Sequence, residues 1–161
     1  MTLHNYLSYV ESQLKPTESL FRLVPMENID WKPMEKLFTA GQLMSHIGGG
    51  LRVYGNGIAN GNWGFTSMRE IFVRNRTQDS LSVEEAVRKL YTCHTEFATL
   101  LGALSEEEFQ NGEVDTPQLG RVPRWRIAML CVEHHLNNKA ELFMYLKLLG
   151  VDVNTGTLYR G

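Results

Sequence analysis

Cysteine is scarce in this chain. Cys93 and Cys131 are the only two, they lie far apart, and they form no CxxC pair. Nothing at the N-terminus, MTLHNYLSYVESQ, resembles the basic start and apolar core of a signal peptide. Both thiols are therefore read as reduced, in a cytoplasmic protein. No apolar run approaches the ~18 residues that a membrane span needs. There is no surplus of basic charge: 16 Lys and Arg stand against 18 Asp and Glu, a net charge of −2, and no basic recognition helix appears. That argues against a nucleic-acid partner. Internal repeats, low-complexity tracts and a convincing strand pair are also missing. So is a GxGxxG opening a helix after a strand, the mark of a dinucleotide site.

What is present is helical periodicity. The 161 residues are 43% hydrophobic and 21% charged, enough for one domain, residues 1–161, with a full core. Residues 2–24 carry Leu3, Leu7, Val10, Leu14, Phe21 and Val24 on one stripe, with Thr17 in the gap and Pro16 as a kink. His4 falls off that stripe and reads as solvated. Residues 25–38 form a connection marked by Pro25, Asp30 and Pro33, with Trp31 and Phe38 as anchors. Thr39 and Gln42 have the spacing of a capping box and open a second helix with Leu43, Ile47, Val53 and Tyr54 inward and His46 beside Ile47. Seven of the 14 glycines lie between Gly48 and Gly64. They read either as a frayed helix end or as room beside His46 for a ligand or a close helix. A short helix at Ser67–Arg74 carries Arg69, Arg74 and Arg76, read as solvated or as a contact for an acidic substrate group.

Ser82 and Glu85 form a second box. The helix after it carries Val83, Val87, Leu90, His94, Phe97, Leu101 and Leu104 at heptad spacing. Ser105 and Glu108 form a third box, and residues 111–122 are turn-rich. The last helix runs from Pro123 to Gly150, with Ile127, Cys131, His134, Asn138, Leu142, Tyr145 and Leu149 at alternating spacings of three and four. The tail after Gly150 reads as extended. Four amphipathic helices predict an all-α four-helix bundle, with a long crossover between the second and third helices.

Four polar residues face this predicted core: His46, His94, His134 and Asn138. Imidazole is the commonest metal-binding side chain, and residues four apart on a helix can hold two positions of one ion. Buried histidines can also bond each other, carbonyls or water.

Two segments, FTAGQLMSHI at 38–47 after Trp31–Pro33 and HHLNNKAELFMYLKLLG at 134–150, resemble the DinB/YfiT-like superfamily. The resemblance implies a four-helix fold and a divalent metal, zinc or nickel, held by three histidines. His46 matches the helix-two ligand and His134 the first of the late pair. Asn138 stands where the second should be, and Lys139, Ala140 and Glu141 replace Arg-Gly-Gln. An asparagine offers only an amide oxygen, which suits zinc or nickel poorly. The alternatives are a weakened site, a replacement ligand or loss of metal. His94 is the first candidate replacement and His135 the second, with Glu133 and Glu141 on outer flanks. Cys131 reads as a small core residue.

By the same resemblance the activity would be metal-dependent, a thiol-dependent S-transfer or a hydrolase-like reaction. Its partners would be a small-molecule substrate and a low-molecular-weight thiol. The alternative is a non-catalytic bundle with a degenerate metal site that binds a small molecule or acts as a homodimer. A homodimer is the family's implication, and Phe143 and Leu146 are the candidate pairing surface.

Overall fold

The computed structural model describes residues 1–161, and most of them are helical. The first stripe forms two helices, α1 (Leu3–Ser12) and α2 (Leu14–Arg22), which meet at Gln13. Pro16 lies in the first turn of α2, where a missing N–H leaves no helical bond unmade. A 3₁₀ turn at Met26–Asn28 leads through the connecting loop to α3 (Ala40–Asn60). Then follow α4 (Met68–Thr77), α5 (Val83–Gly102) and α6 (Glu106–Asn111). A hairpin of β1 (Glu113–Thr116) and β2 (Gly120–Pro123) precedes α7 (Arg124–Leu148) and α8 (Thr155–Arg160).

The helical class is as expected, but the count exceeds four. All three capping boxes form, at Thr39–Gln42, Ser82–Glu85 and Ser105–Glu108. Each satisfies N–H groups that a helix start leaves free. The tail is not extended: Asn154 caps α8, which packs on α2. No helix is long and apolar enough to cross a membrane.

The expectation of no strand pair is overturned. Val114 pairs with Val122 across the antiparallel hairpin, and both are buried. The loop Pro117–Leu119 closes on Gly120, whose φ of 67° is the left-handed conformation that glycine tolerates. The Thr116 hydroxyl donates to the Gly120 carbonyl and accepts from the Leu119 N–H, each at 2.9 Å. The sequence signal was a short loop with glycine between two valine-bearing runs.

The glycine run does not fray. α3 continues through it to Asn60 and stops at Gly61, with φ 68°. Each interior glycine costs about 1 kcal/mol of helix propensity relative to alanine. Close packing is what these positions gain in return. A Cβ on Gly48 would stand 3.2 Å from the Leu90 backbone nitrogen of α5, and one on Gly55 would stand 3.1 Å from the Phe97 ring. A Cβ on Gly57 would penetrate the Trp63 ring, which lies flat on that turn. The Trp63 indole N–H reaches the Asp115 carbonyl of β1 at 2.8 Å. Thus α3 is held to α5 on one side and to the hairpin on the other.

Gly57→Ala is therefore expected to lower stability by about 1–3 kcal/mol, an overpacking effect that outweighs alanine's better helix propensity. Urea unfolding followed by circular dichroism checks this. A variant as stable as the parent would show that Trp63 moves aside freely.

Candidate functional site

His46 on α3 and His134 on α7 meet at the helix interface, with 3.0 Å between their Nε2 atoms. The rings stand 4.8 Å apart between centroids and are tilted by 65°. A hydrogen bond between two imidazole nitrogens needs one donor and one acceptor. The two rings therefore hold opposite tautomers when the pair is neutral. Gly50 makes the approach feasible, since a Cβ there would lie 3.2 Å from His134 Cε1. Phe38 packs against His46, and Tyr54 against His134, at centroid distances of 5.2 and 5.4 Å. Burial lowers both pKa values. His46 falls to about 4, helped by the neighbouring His134 and Lys89 charges. Both rings are neutral at pH 7.

The pair forms part of the wall of a cavity of about 660 Å³ between α3, α4 and α5. Tyr54, Trp63, Phe65 and Phe72 supply an aromatic side. Ser45, Gln78 and Lys89 supply a polar one. Of the three arginines singled out near α4, only Arg74 reaches it. Of the readings left open by the sequence, the frayed end is excluded and the close helix is present. Gly48 admits a close helix, and Gly49 and Gly50 leave space for Lys89 and His134.

The other expected residues go elsewhere. Asn138 is half-buried, and its amide donates back to the His134 carbonyl at 2.7 Å. His94 does not point at the pair. Leu90, Cys93 and Phe97 form the buried side of α5. His94 lies beside that side, half-buried, with the Glu11 carboxylate of α1 acting on it. His135 is more buried than His134 and faces α2, where its Nε2 meets the Thr17 hydroxyl at 2.9 Å. Its Nδ1 is buried without a partner. Lys139, one turn on, is buried too and donates to Gln13 Oε1 at 3.1 Å. Cys131 is sealed in the core, and burial pushes its thiol up to about 12, far from a reactive thiolate. Glu133 is exposed, and Glu141 accepts a bond from the Tyr145 hydroxyl at 3.2 Å.

Nowhere do three or more His, Cys, Asp or Glu side chains converge as a metal site would require. The two facing imidazoles have the right chemistry for a divalent ion. The residues present still do not build the three-histidine set that the resemblance implies. Lys89, Ser45, Gln78 and Trp63 were missed by sequence reasoning. The one signal for Lys89 was its place in the helix that packs along the glycine run.

This is a helical protein with the fold of a DinB-like protein. A crystal structure of the DinB-like protein YjoA from Bacillus subtilis matches it with a TM-score of 0.69 at 21% identity, covering 92% of this chain and 94% of that one. In sequence the chain is 29% identical over 147 residues to the uncharacterized protein YjoA of Bacillus subtilis, 89% of this chain and 88% of the relative. No family model matches the chain. The two likenesses support the family resemblance carried by the motifs at 38–47 and 134–150, and neither carries a function.

His135 gives a pH dependence with a definite sign. Burial, Lys139 and His134 lower its pKa to about 3, against about 6.5 in an unfolded chain. Between those values the unfolded state binds a proton that the folded state refuses. Stability is full above about 6.5 and falls on acidification by about 1.4 kcal/mol per pH unit for this residue. Urea midpoints measured from pH 7 to 4.5 should drop accordingly, and His135→Leu should flatten the drop. An equal drop in that variant would assign the linkage to other groups.

Proposed function

We propose that this chain binds a small organic molecule in the cavity beside the His46–His134 pair, and that binding does not depend on a metal. The observation that carries this reading is the joint geometry of the cavity and the pair. A volume of about 660 Å³ falls in the range of small-molecule sites, which are typically about 300–1,000 Å³. It has an aromatic wall, and a neutral imidazole pair stands at its edge. Such a pair can donate or accept one hydrogen bond to a guest, and it can pass a proton between its two nitrogens. With α1 and α2 counted as one broken helix, α3, α5 and α7 complete the four long helices of a DinB-like bundle.

A second reading keeps the metal-dependent enzyme, including thiol-dependent S-transfer. The 3.0 Å approach of the two Nε2 atoms favours it, since both nitrogens could reach one zinc ion at the usual ~2.0–2.1 Å. Against it stands Asn138, whose amide group is turned to its own helix. A homodimer would not use Phe143 and Leu146, which are buried. The outer side of α7, where Trp125, Met129, Met144 and Leu148 are exposed, would take that role.

The test is protein-observed NMR on untagged protein, with and without chelator, titrated with neutral, anionic and cationic aromatic fragments. At least one class should shift the Trp63 indole and His134 ring signals in both conditions. It should not do so in Asn56→Trp, which fills the cavity. If no class shifts these signals, the binding reading fails. If shifts require zinc or nickel, and bound metal measured by mass spectrometry is lost in His46→Ala and His134→Ala, the second reading replaces the first.

A further inference from the structure

The cavity contains a cation without a counter-ion. Lys89 reaches from α5 across Gly49, where a Cβ would come within 3.1 Å of its Cε and 3.3 Å of its Nζ. The ammonium donates to Ser45 Oγ at 2.8 Å. An ammonium has three N–H donors, and this is the one hydrogen bond it makes within the chain. Ser45 in turn donates to Gln78 Oε1 at 3.0 Å, and the Gln42 amide fastens the Gln78 carbonyl at 2.8 Å. The serine and glutamine are therefore fixed in place, and they hold the lysine head at the cavity wall.

No carboxylate answers that charge. The cavity lining contains no Asp or Glu, and Lys89 makes no ion pair. Of the other two cations there, Arg52 is ion-paired and Arg74 is exposed to water. Arg52 makes a two-pronged bond with Glu96, at 2.5 and 2.8 Å. Arg74 donates to the Gly64 carbonyl at 3.0 Å and lies in the field of Glu70. The titratable neighbours acting on Lys89 are the Arg52 guanidinium, which repels it, and the Cys93 thiol, which burial keeps in its neutral form. A half-buried cation with free donors and no protein anion is poorly solvated and attracts an anionic group from a guest.

We infer that the physiological guest is an organic acid whose carboxylate is held by Lys89 and whose apolar body lies against Trp63 and Phe65. This rests on the proposed binding cavity and names the class of molecule it takes. The aromatic wall and the charged head come from different segments, Trp63 from the loop just beyond α3 and Lys89 from α5. A guest must therefore have two unlike ends.

The test compares three matched probes, 2-naphthoate, 2-naphthamide and 2-naphthylmethylamine, by NMR titration at fixed low ionic strength. The acid should bind at least tenfold tighter than the amide, and the amine weakest. In Lys89→Met the preference of acid over amide should collapse to within about twofold, while Lys89→Arg should retain most of it. Equal affinity of acid and amide in the native chain would overturn the inference and leave the binding cavity standing. Failure of all three probes would sink both. A preference that survives in a folded Lys89→Met protein would overturn the assignment to Lys89. The comparison in the native chain does not depend on either variant folding.

Discussion

The close approach of α3 to α5 is the constraint on which the rest of this structure depends. Interior glycines are costly in an isolated helix. Here they let two helix backbones come within van der Waals contact at Gly48 and seat the Phe97 ring on Gly55. The next two positions, Gly49 and Gly50, leave the helix surface bare where Lys89 and His134 cross it. One short run of missing side chains thus sets the packing distance and opens the polar wall of the cavity. A larger residue at any of these positions would separate the helices or displace a polar head.

α7 has two polar faces, and they do different work. His134 joins α3 through His46. His135, rotated by about 100°, joins α2 through Thr17, and Lys139 extends that contact to Gln13 at the break between α1 and α2. Two consecutive histidines on a helix cannot serve one site. One is committed to the cavity and the other to fastening the divided first helix. The contrast with the three-histidine set implied by the family motif has a simple geometric origin. Position 138 holds an amide that closes on its own helix, and position 94 turns toward α1.

The capping boxes at Thr39, Ser82 and Ser105 were legible because they depend on residues three apart. His46 and His134 were legible because helical periodicity and the motifs at 38–47 and 134–150 agree on them. The rest depended on contacts distant in sequence. The hairpin is stabilised by Trp63, fifty or so residues before it, and no local pattern announces that bond. The heptad on α5 placed His94 inward because a stripe of spacing three and four covers a broad arc. Packing against Gly48 and Gly55 then chose the Leu90–Cys93–Phe97 edge of that arc. Lys89 was hidden because a lysine beside a stripe ordinarily reads as solvated.

The indole of Trp63 spends its single N–H on the Asp115 carbonyl. Only carbon is left to face the cavity from that ring, so its wall there can neither donate to nor accept from a guest in the plane of a hydrogen bond. Ser45, Lys89 and the two imidazoles supply polar atoms elsewhere in the lining. The hairpin, whose loop adds Gln118 to the lining, thereby turns one wall of the chamber apolar by engaging the ring's sole polar group.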